Sequence, residues 1–403
     1  MSYDVAAVRS RFPALRAGVA HFDGPGGSQV PDAVAGAVAG ALTSPLANRG
    51  TITSGERSAD AIVLAARAAM ADLLGADPRG IVFGRSMTAL TFDLARTLAA
   101  TWSPGDEIVV TRLDHDANIR PWVIAAEAAG VTVRWLDFDP DTTELDDLAP
   151  LLGERTRLVA VTGASNLVGT RPDIPAIARQ VHAAGALLMV DGVHLTAHAA
   201  VDVRELGADF FACSPYKFLG PHCGVLAADP ALLETLHPAK LLPSTDAVPE
   251  RFELGTLPYE LLAGTTAAVE FLAGLDGQAT GDRRDRLRAS LAAVHAHEEP
   301  LRERIEDRLA GLPGVRLRSR AASRTPTLLV TFDDRDPAEA YRYLAERRIA
   351  APASSFYALE CSRRLGLGDT GALRIGLACY TDDDDVDRLL EALSGFVKAA
   401  HHR

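Results

Sequence analysis

RLVAVTGASNLVGTRPDIPAIARQVHAAGALLMVDG (157–192) carries the fold. Its first part, RLVAVTG (157–163), reads as a strand. PDIPAIARQVHAAG (172–185) reads as a helix and ALLMVDG (186–192) as a second strand. Both strand runs are almost continuously apolar, without polar alternation. That pattern belongs to parallel strands covered on both faces. Outward toward the N-terminus the alternation continues. GIVFG (80–84), DEIVVTR (106–112) and VTVRWLDF (131–138) are strand-like, with helical patterns in MTALTFDLARTLAATW (87–102) and IRPWVIAAEAAG (119–130) between them. Toward the C-terminus, DFFACS (209–214) and CGVLAA (223–228) add two short strands. An α/β fold is predicted, with a large domain built on a mostly parallel seven-stranded sheet.

The pattern changes near residue 258. YELLAGTTAAVEFLAGL (259–275) and the charged stretch 282–312 read as helices. VRLRS (315–319), TPTLLVTF (325–332) and ALRIGLACY (372–380) read as strands, with helices in PAEAYRYLAERR (337–348) and over 384–399. These predict a smaller α/β C-terminal domain over 261–403 and a large domain over 20–260. Residues 1–19, with an apolar stripe in VAAVRSRFPAL, are expected to pack on the small domain.

The chain has 403 residues, 48% of them hydrophobic, enough for a large core. A net charge of −12 argues against nucleic acid or an anionic membrane as partner. No apolar run of roughly 18 residues suggests a membrane span. MSYDVAAVRSRFPAL lacks the basic and apolar regions of a signal peptide. The four cysteines, Cys213, Cys223, Cys361 and Cys379, show no C-x-x-C spacing. A reducing cytoplasm is therefore expected. His194 and His198 are spaced as a zinc-binding pair would be, but no acidic third ligand is evident. No metal is expected.

The chemistry concentrates where strands end. Asp191 closes the run MVD, and Lys217 lies in FFACSPYKFLGPHCG among Phe211, Pro215, Tyr216 and Phe218. That is apolar company for a lysine, and a buried lysine becomes a nucleophile. Pyridoxal 5'-phosphate (PLP) needs an amine for its aldehyde and a carboxylate that keeps its pyridine nitrogen protonated. Ligands gather at the C-terminal ends of parallel strands. Met87 and Thr88 stand where GRSMTALTF turns from strand into helix, a natural phosphate cradle.

Eight segments occur in the order of a known family: HFDGPGGSQVP (21–31), NRGT (48–51), LDHDANIRPW (113–122), GASNLVGT (163–170), VDGVHLTAHAAVDV (190–203), SPYKFLGP (214–221), RFELGTLP (251–258) and RIGLACYTDDDDVDRLL (374–390). The chain resembles the class V aminotransferase family of fold-type I PLP enzymes, in its cysteine desulfurase-like branch. The resemblance implies a Schiff base on Lys217, paired with Asp191. It implies His115 stacked on one face of the ring and Val193 packed on the other. Asn166 and His194 would serve the phenolic oxygen, and Met87, Thr88 and Ser214 would complete the cofactor shell. Thr256 would reach the phosphate of the neighbouring subunit in a homodimer. Arg374 would grip the α-carboxylate of an amino-acid substrate, with Asn166 also facing it.

Three departures stand out. Desulfurases carry a nucleophilic cysteine on the loop before the last strand; here Tyr357 stands near that position and is expected to face the substrate. Cys361 falls four residues later, in a helical pattern. His194 replaces a glutamine, and Tyr216 replaces the histidine that often precedes the lysine. The leading expectation is a C–S lyase acting on cysteine or a cysteine conjugate. Transamination or epimerisation of an amino acid uses the same parts. A non-catalytic PLP-fold binding protein is the third reading, against which Lys217 itself speaks.

Overall fold

The computed structural model describes residues 3–398. The HHR tail and the expected helix end at 399 lie outside them. The first strand, β1 (Ala20–His21), is short. The large sheet comprises β2 (Ile81–Gly84), β3 (Glu107–Thr111), β4 (Thr132–Leu136), β5 (Thr156–Thr162), β6 (Leu187–Asp191), β7 (Phe210–Cys213) and β8 (Gly224–Ala228). Their order is β2-β8-β7-β6-β5-β3-β4. Only β8 runs against its neighbours. The seven strands are those read from the sequence, and the mostly parallel sheet is as predicted.

Successive side chains on a strand face opposite ways, and the core divides accordingly. Val109, Val159, Val161, Leu188, Val190 and Phe211 face one layer, with Val63 and Met70 of helix Ser54–Leu74 and Val269 of helix Tyr259–Ala273. Ile108, Val110, Leu158, Ala160, Met189 and Phe210 face the other, with Leu90 and Leu94 of helix Met87–Ala99 and Trp122 of helix Arg120–Ala129. Edge strand β4 is the exception, starting exposed and ending buried.

The C-terminal sheet comprises β9 (Val315–Leu317), β10 (Thr327–Phe332), β12 (Ala353–Ser354) and β13 (Ala372–Gly376), in the antiparallel order β12-β13-β10-β9. β11 (Ile349–Ala350) pairs instead with β1, in parallel. Helix Arg283–Ala310 serves both cores. Its first half places Leu287 and Leu291 under the large sheet; its second half places Ile305 and Leu309 under the small one. Helix Tyr259–Ala273 packs with the large-sheet layer. The N-terminal segment touches both sides. Phe12 meets Phe271 and Tyr380, and Arg9 pairs with Asp382 and Asp385. The predicted strand ALRIGLACY stops at Gly376. There Pro25 lies so close that a Cβ on Gly376 would sit 2.2 Å from its ring, and the chain turns at Ala378–Thr381. Among the described residues, no helix is long and apolar enough to cross a membrane.

Candidate active site

The C-terminal ends of β3, β5 and β6 open on a cavity of about 650 Å³. Asp191, the last residue of β6, is buried, and its Oδ1 accepts a hydrogen bond from the Val193 amide at 2.9 Å. Burial lifts its carboxyl to about 6, the amide bond and nearby Lys217 opposing. The turn that follows is tight against the sheet: a Cβ on Gly192 would sit 1.8 Å from the Phe211 ring.

Lys217 lies on the short helical turn Pro215–Lys217 after β7. Its Nζ donates to the Pro25 carbonyl at 2.6 Å and sits 4.9 Å from the Tyr216 ring centre. Burial, helped by the Arg374 charge, lowers the amine to about 7. A lysine so tuned is an effective nucleophile near neutrality. Tyr216 lies flat on His222, ring centres 4.6 Å apart.

His115 follows β3. Its Nδ1 accepts from the Ala117 amide at 3.0 Å, which puts the ring proton on Nε2. Burial, and then Lys217, push it down to about 4, so the ring is neutral near pH 7. Beneath it lies Asp114, a residue the sequence reading did not single out. Its carboxyl receives the Thr162 amide at 2.9 Å, Asn118 Nδ2 at 2.7 Å and the Thr111 hydroxyl. Burial raises it to about 8. It ties the His115 turn to the end of β5.

Helix Met87–Ala99 starts at the cavity wall. Ser86 caps it, its Oγ accepting from the Ala89 amide. The amides of Met87 and Thr88 precede any intrahelical acceptor and have no acceptor among the described residues, which suits them to an anion. Close approach is built in: a Cβ on Gly224 would sit 2.2 Å from the Ser86 carbonyl carbon and 2.5 Å from the Met87 nitrogen. Ser214 and Val193 also line the cavity.

The small domain contributes Arg374, on β13 and 2% exposed. Its Nη1 donates to the Asn166 carbonyl at 2.9 Å, and its guanidinium lies 3.6 Å from the Phe356 ring centre. Burial lowers it to about 9. Asn166 Nδ2 donates to the Phe356 carbonyl at 3.0 Å. Asn166 Oδ1 and Arg374 Nε are both buried and have no partner among the described residues. Such unsatisfied groups are rare in native cores and point to a polar ligand.

His194 also lines the cavity, but its Nε2 is held by the small domain, 3.0 Å from Thr325 Oγ1 and 2.9 Å from Thr327 Oγ1. His198 pairs through Nδ1 with buried Glu298, 3.0 Å away. Tyr357 is 76% exposed at the rim, its ring stacked on His115 at 5.6 Å. Pro25, Phe92, Arg120 and Phe356 share the wall and were not assigned from sequence. Thr256 is exposed and does not line this chain's cavity. None of the four cysteines lines it; Cys361 is buried on helix Leu359–Arg364, and burial pushes its thiol up.

The residues fit PLP. A low-pKa amine, a buried carboxylate, a neutral imidazole, an unpartnered amide oxygen and a helix start with free amides face one space. Such a site at the strand ends of this sheet defines the fold-type I PLP-dependent enzymes. The chain belongs to the class V aminotransferase family, a PLP-dependent family, whose sequence pattern (Aminotransferase class-V) matches residues 20–389. It is 36% identical to the uncharacterized protein MT3887 of Mycobacterium tuberculosis, over 98% of this chain and 99% of that one. It is 32% identical to the cysteine desulfurase CsdA of Escherichia coli, over 97% of each. The crystal structure of that desulfurase, in an S-sulfonic acid form, superposes with a TM-score of 0.85 at 29% identity, covering 99% of this chain and all of the other.

Proposed function

We propose that the protein is a PLP-dependent C–S lyase acting on cysteine or a cysteine S-conjugate, and that it releases the sulfur as free thiol or sulfide. The observation that carries this reading is one cavity that joins Lys217 and Asp191 to the Arg374–Asn166 pair and contains no thiol. PLP supplies the electron sink that makes the substrate α-hydrogen acidic. Lys217 would anchor the cofactor and then carry the α-proton. Asp191 would hold a proton on the ring nitrogen. His115 and Val193 would flank the ring, Asn166 and His194 would serve the phenolic-oxygen side, and Met87, Thr88 and Ser214 would hold the phosphate. Arg374 pairs with the substrate carboxylate, and its fork suits two oxygens in plane. The balance is an S-substituted cysteine plus water giving thiol, pyruvate and ammonium. Desulfurase persulfide chemistry needs an accessible thiolate, and buried Cys361 does not offer one. A second copy of the chain completes each site through Thr256. Four free cysteines suit the reducing cytoplasm.

Purified enzyme given L-cysteine and its S-conjugates should yield pyruvate with sulfide or thiol. Lys217→Ala should abolish both the products and the visible absorbance of lysine-bound cofactor. A borohydride-reducible cofactor band in that variant would remove Lys217 from its role. Pyridoxamine phosphate without pyruvate would replace lyase chemistry with transamination.

A further inference from the structure

The loop between β12 and β13 holds the unusual backbone of the cavity. Phe356 and Tyr357 have φ of 51° and 58°, two consecutive non-glycine residues in the left-handed region. L side chains avoid that region because Cβ crowds the following carbonyl. Several bonds hold the loop there. The Asp116 amide donates to the Tyr357 carbonyl at 2.7 Å, and the Phe356 amide to Ser354 Oγ at 3.2 Å. Asn166 Nδ2 donates to the Phe356 carbonyl. The Phe356 ring is occupied by the Arg374 guanidinium. Tyr357 is left with one aromatic neighbour, His115, at an interplanar angle of 23°, and its hydroxyl bonds nothing among the described residues. The result is an exposed aromatic face on a fixed backbone, one residue from the stacking partner of Arg374.

That placement matters because no cysteine faces the cavity. Sulfur then leaves with whatever group it carries, and the cavity that holds Lys217 and Arg374 extends to the rim at Tyr357, giving such a group room there. Besides Tyr357, the cavity wall includes Phe92 and His115. An aromatic group there would exchange solvent for flat ring contact.

We propose that Tyr357 is a specificity-determining residue that stacks on an aromatic group attached to the substrate sulfur, so that aryl- or benzyl-type S-conjugates are preferred over free cysteine. This rests on the C–S lyase reading. The reaction is hydrolytic β-elimination: the α-proton is removed, the Cβ–S bond breaks, sulfur keeps the electron pair and takes a proton, and one water converts the remaining three-carbon unit to pyruvate, its amino nitrogen leaving as ammonium.

The test compares kcat/KM for S-benzyl-L-cysteine, S-methyl-L-cysteine and L-cysteine in holoenzyme, Tyr357→Phe and Tyr357→Ala, with pyruvate as readout. Wild type should prefer the benzyl substrate. Tyr357→Phe should keep that preference, since the ring and not the hydroxyl makes the contact. Tyr357→Ala should lower the benzyl-to-methyl ratio roughly 2- to 12-fold, the range for aromatic pairing, mainly through KM. The proposal is overturned if L-cysteine is the best substrate, or if Tyr357→Ala leaves the ratio unchanged. It is also overturned if Tyr357→Phe lowers kcat equally on all three, which would make the hydroxyl an acid. Absence of pyruvate from every substrate, with pyridoxamine phosphate formed, overturns the lyase reading itself and this inference with it.

Discussion

Lys217 and Arg374 are two cations that share one small volume, and each is shifted toward its neutral form, chiefly by burial. For Lys217 the consequence is a pH dependence. Its amine must be neutral to capture an aldehyde, and its pKa is lowered to about 7. Capture of PLP by stripped protein should therefore speed up as pH rises through about 7 and level off above it. Stopped-flow absorbance checks this; a rate that climbs only near the ordinary lysine range would contradict it. For Arg374 the consequence concerns substrate. Arg374→Ala should raise KM for amino-acid substrates roughly 10- to 100-fold, the worth of a charge-assisted pair, while the cofactor stays bound. Arg374→Lys should not restore affinity, because an ammonium has no planar fork. Unchanged KM in both variants would count against the clamp. The placement of Asp191 at a strand end and of Lys217 in an apolar setting was legible in the sequence because both are local properties. Asp114 was not. Its significance comes from Thr162 and Asn118, and nothing in LDHD separates a buried carboxylate from a turn.

Most elements with a strong apolar rhythm were read correctly, while two alanine-rich helices were missed. Helices Asp32–Thr43 and Ser54–Leu74 were not anticipated. In the second, four of the nine buried residues are alanine, and Ala59, Ala66 and Ala69 are fully enclosed. Alanine marks no clear face in a hydrophobic pattern. The Thr53–Glu56 capping box was the available signal. At the start of helix Met87–Ala99 the fit depends on a missing side chain in β8. Gly224→Ala must displace Ser86 and Met87, at a cost of about 1–3 kcal/mol for overpacking. Because Ser86 and Met87 begin the proposed phosphate cradle, PLP affinity should fall along with stability. Equilibrium dialysis together with denaturant unfolding would show it; lost stability with unchanged PLP affinity would place the cradle elsewhere.

At the scale of the molecule, the proposed dimer allows a complementation test. Lys217→Ala and Thr256→Glu should each be inactive alone, the second because a carboxylate repels phosphate. Refolded together, they form mixed dimers in which one site keeps both native residues. Activity should return to roughly a quarter of wild type, as a two-fold symmetric pairing requires. No recovery would mean that Thr256 does not act across an interface. The α/β plan, with helices on both faces of the large sheet, was legible because strand and helix alternate along the chain. The double service of helix Arg283–Ala310 was not, since it depends on which halves of one helix meet which sheet. The pairing of β1 with β11 was equally hidden, and it has a consequence for how the protein is made. β1 and Phe22, buried in the small-domain core, wait on the ribosome until Ile349–Ala350 has been synthesised. At about 5–20 residues per second that wait lasts on the order of tens of seconds. Throughout it, Phe12 and Phe22 are sticky groups on a nascent chain. Chaperone demand should therefore be set by the first twenty-odd residues, although they lie farthest from the point of completion.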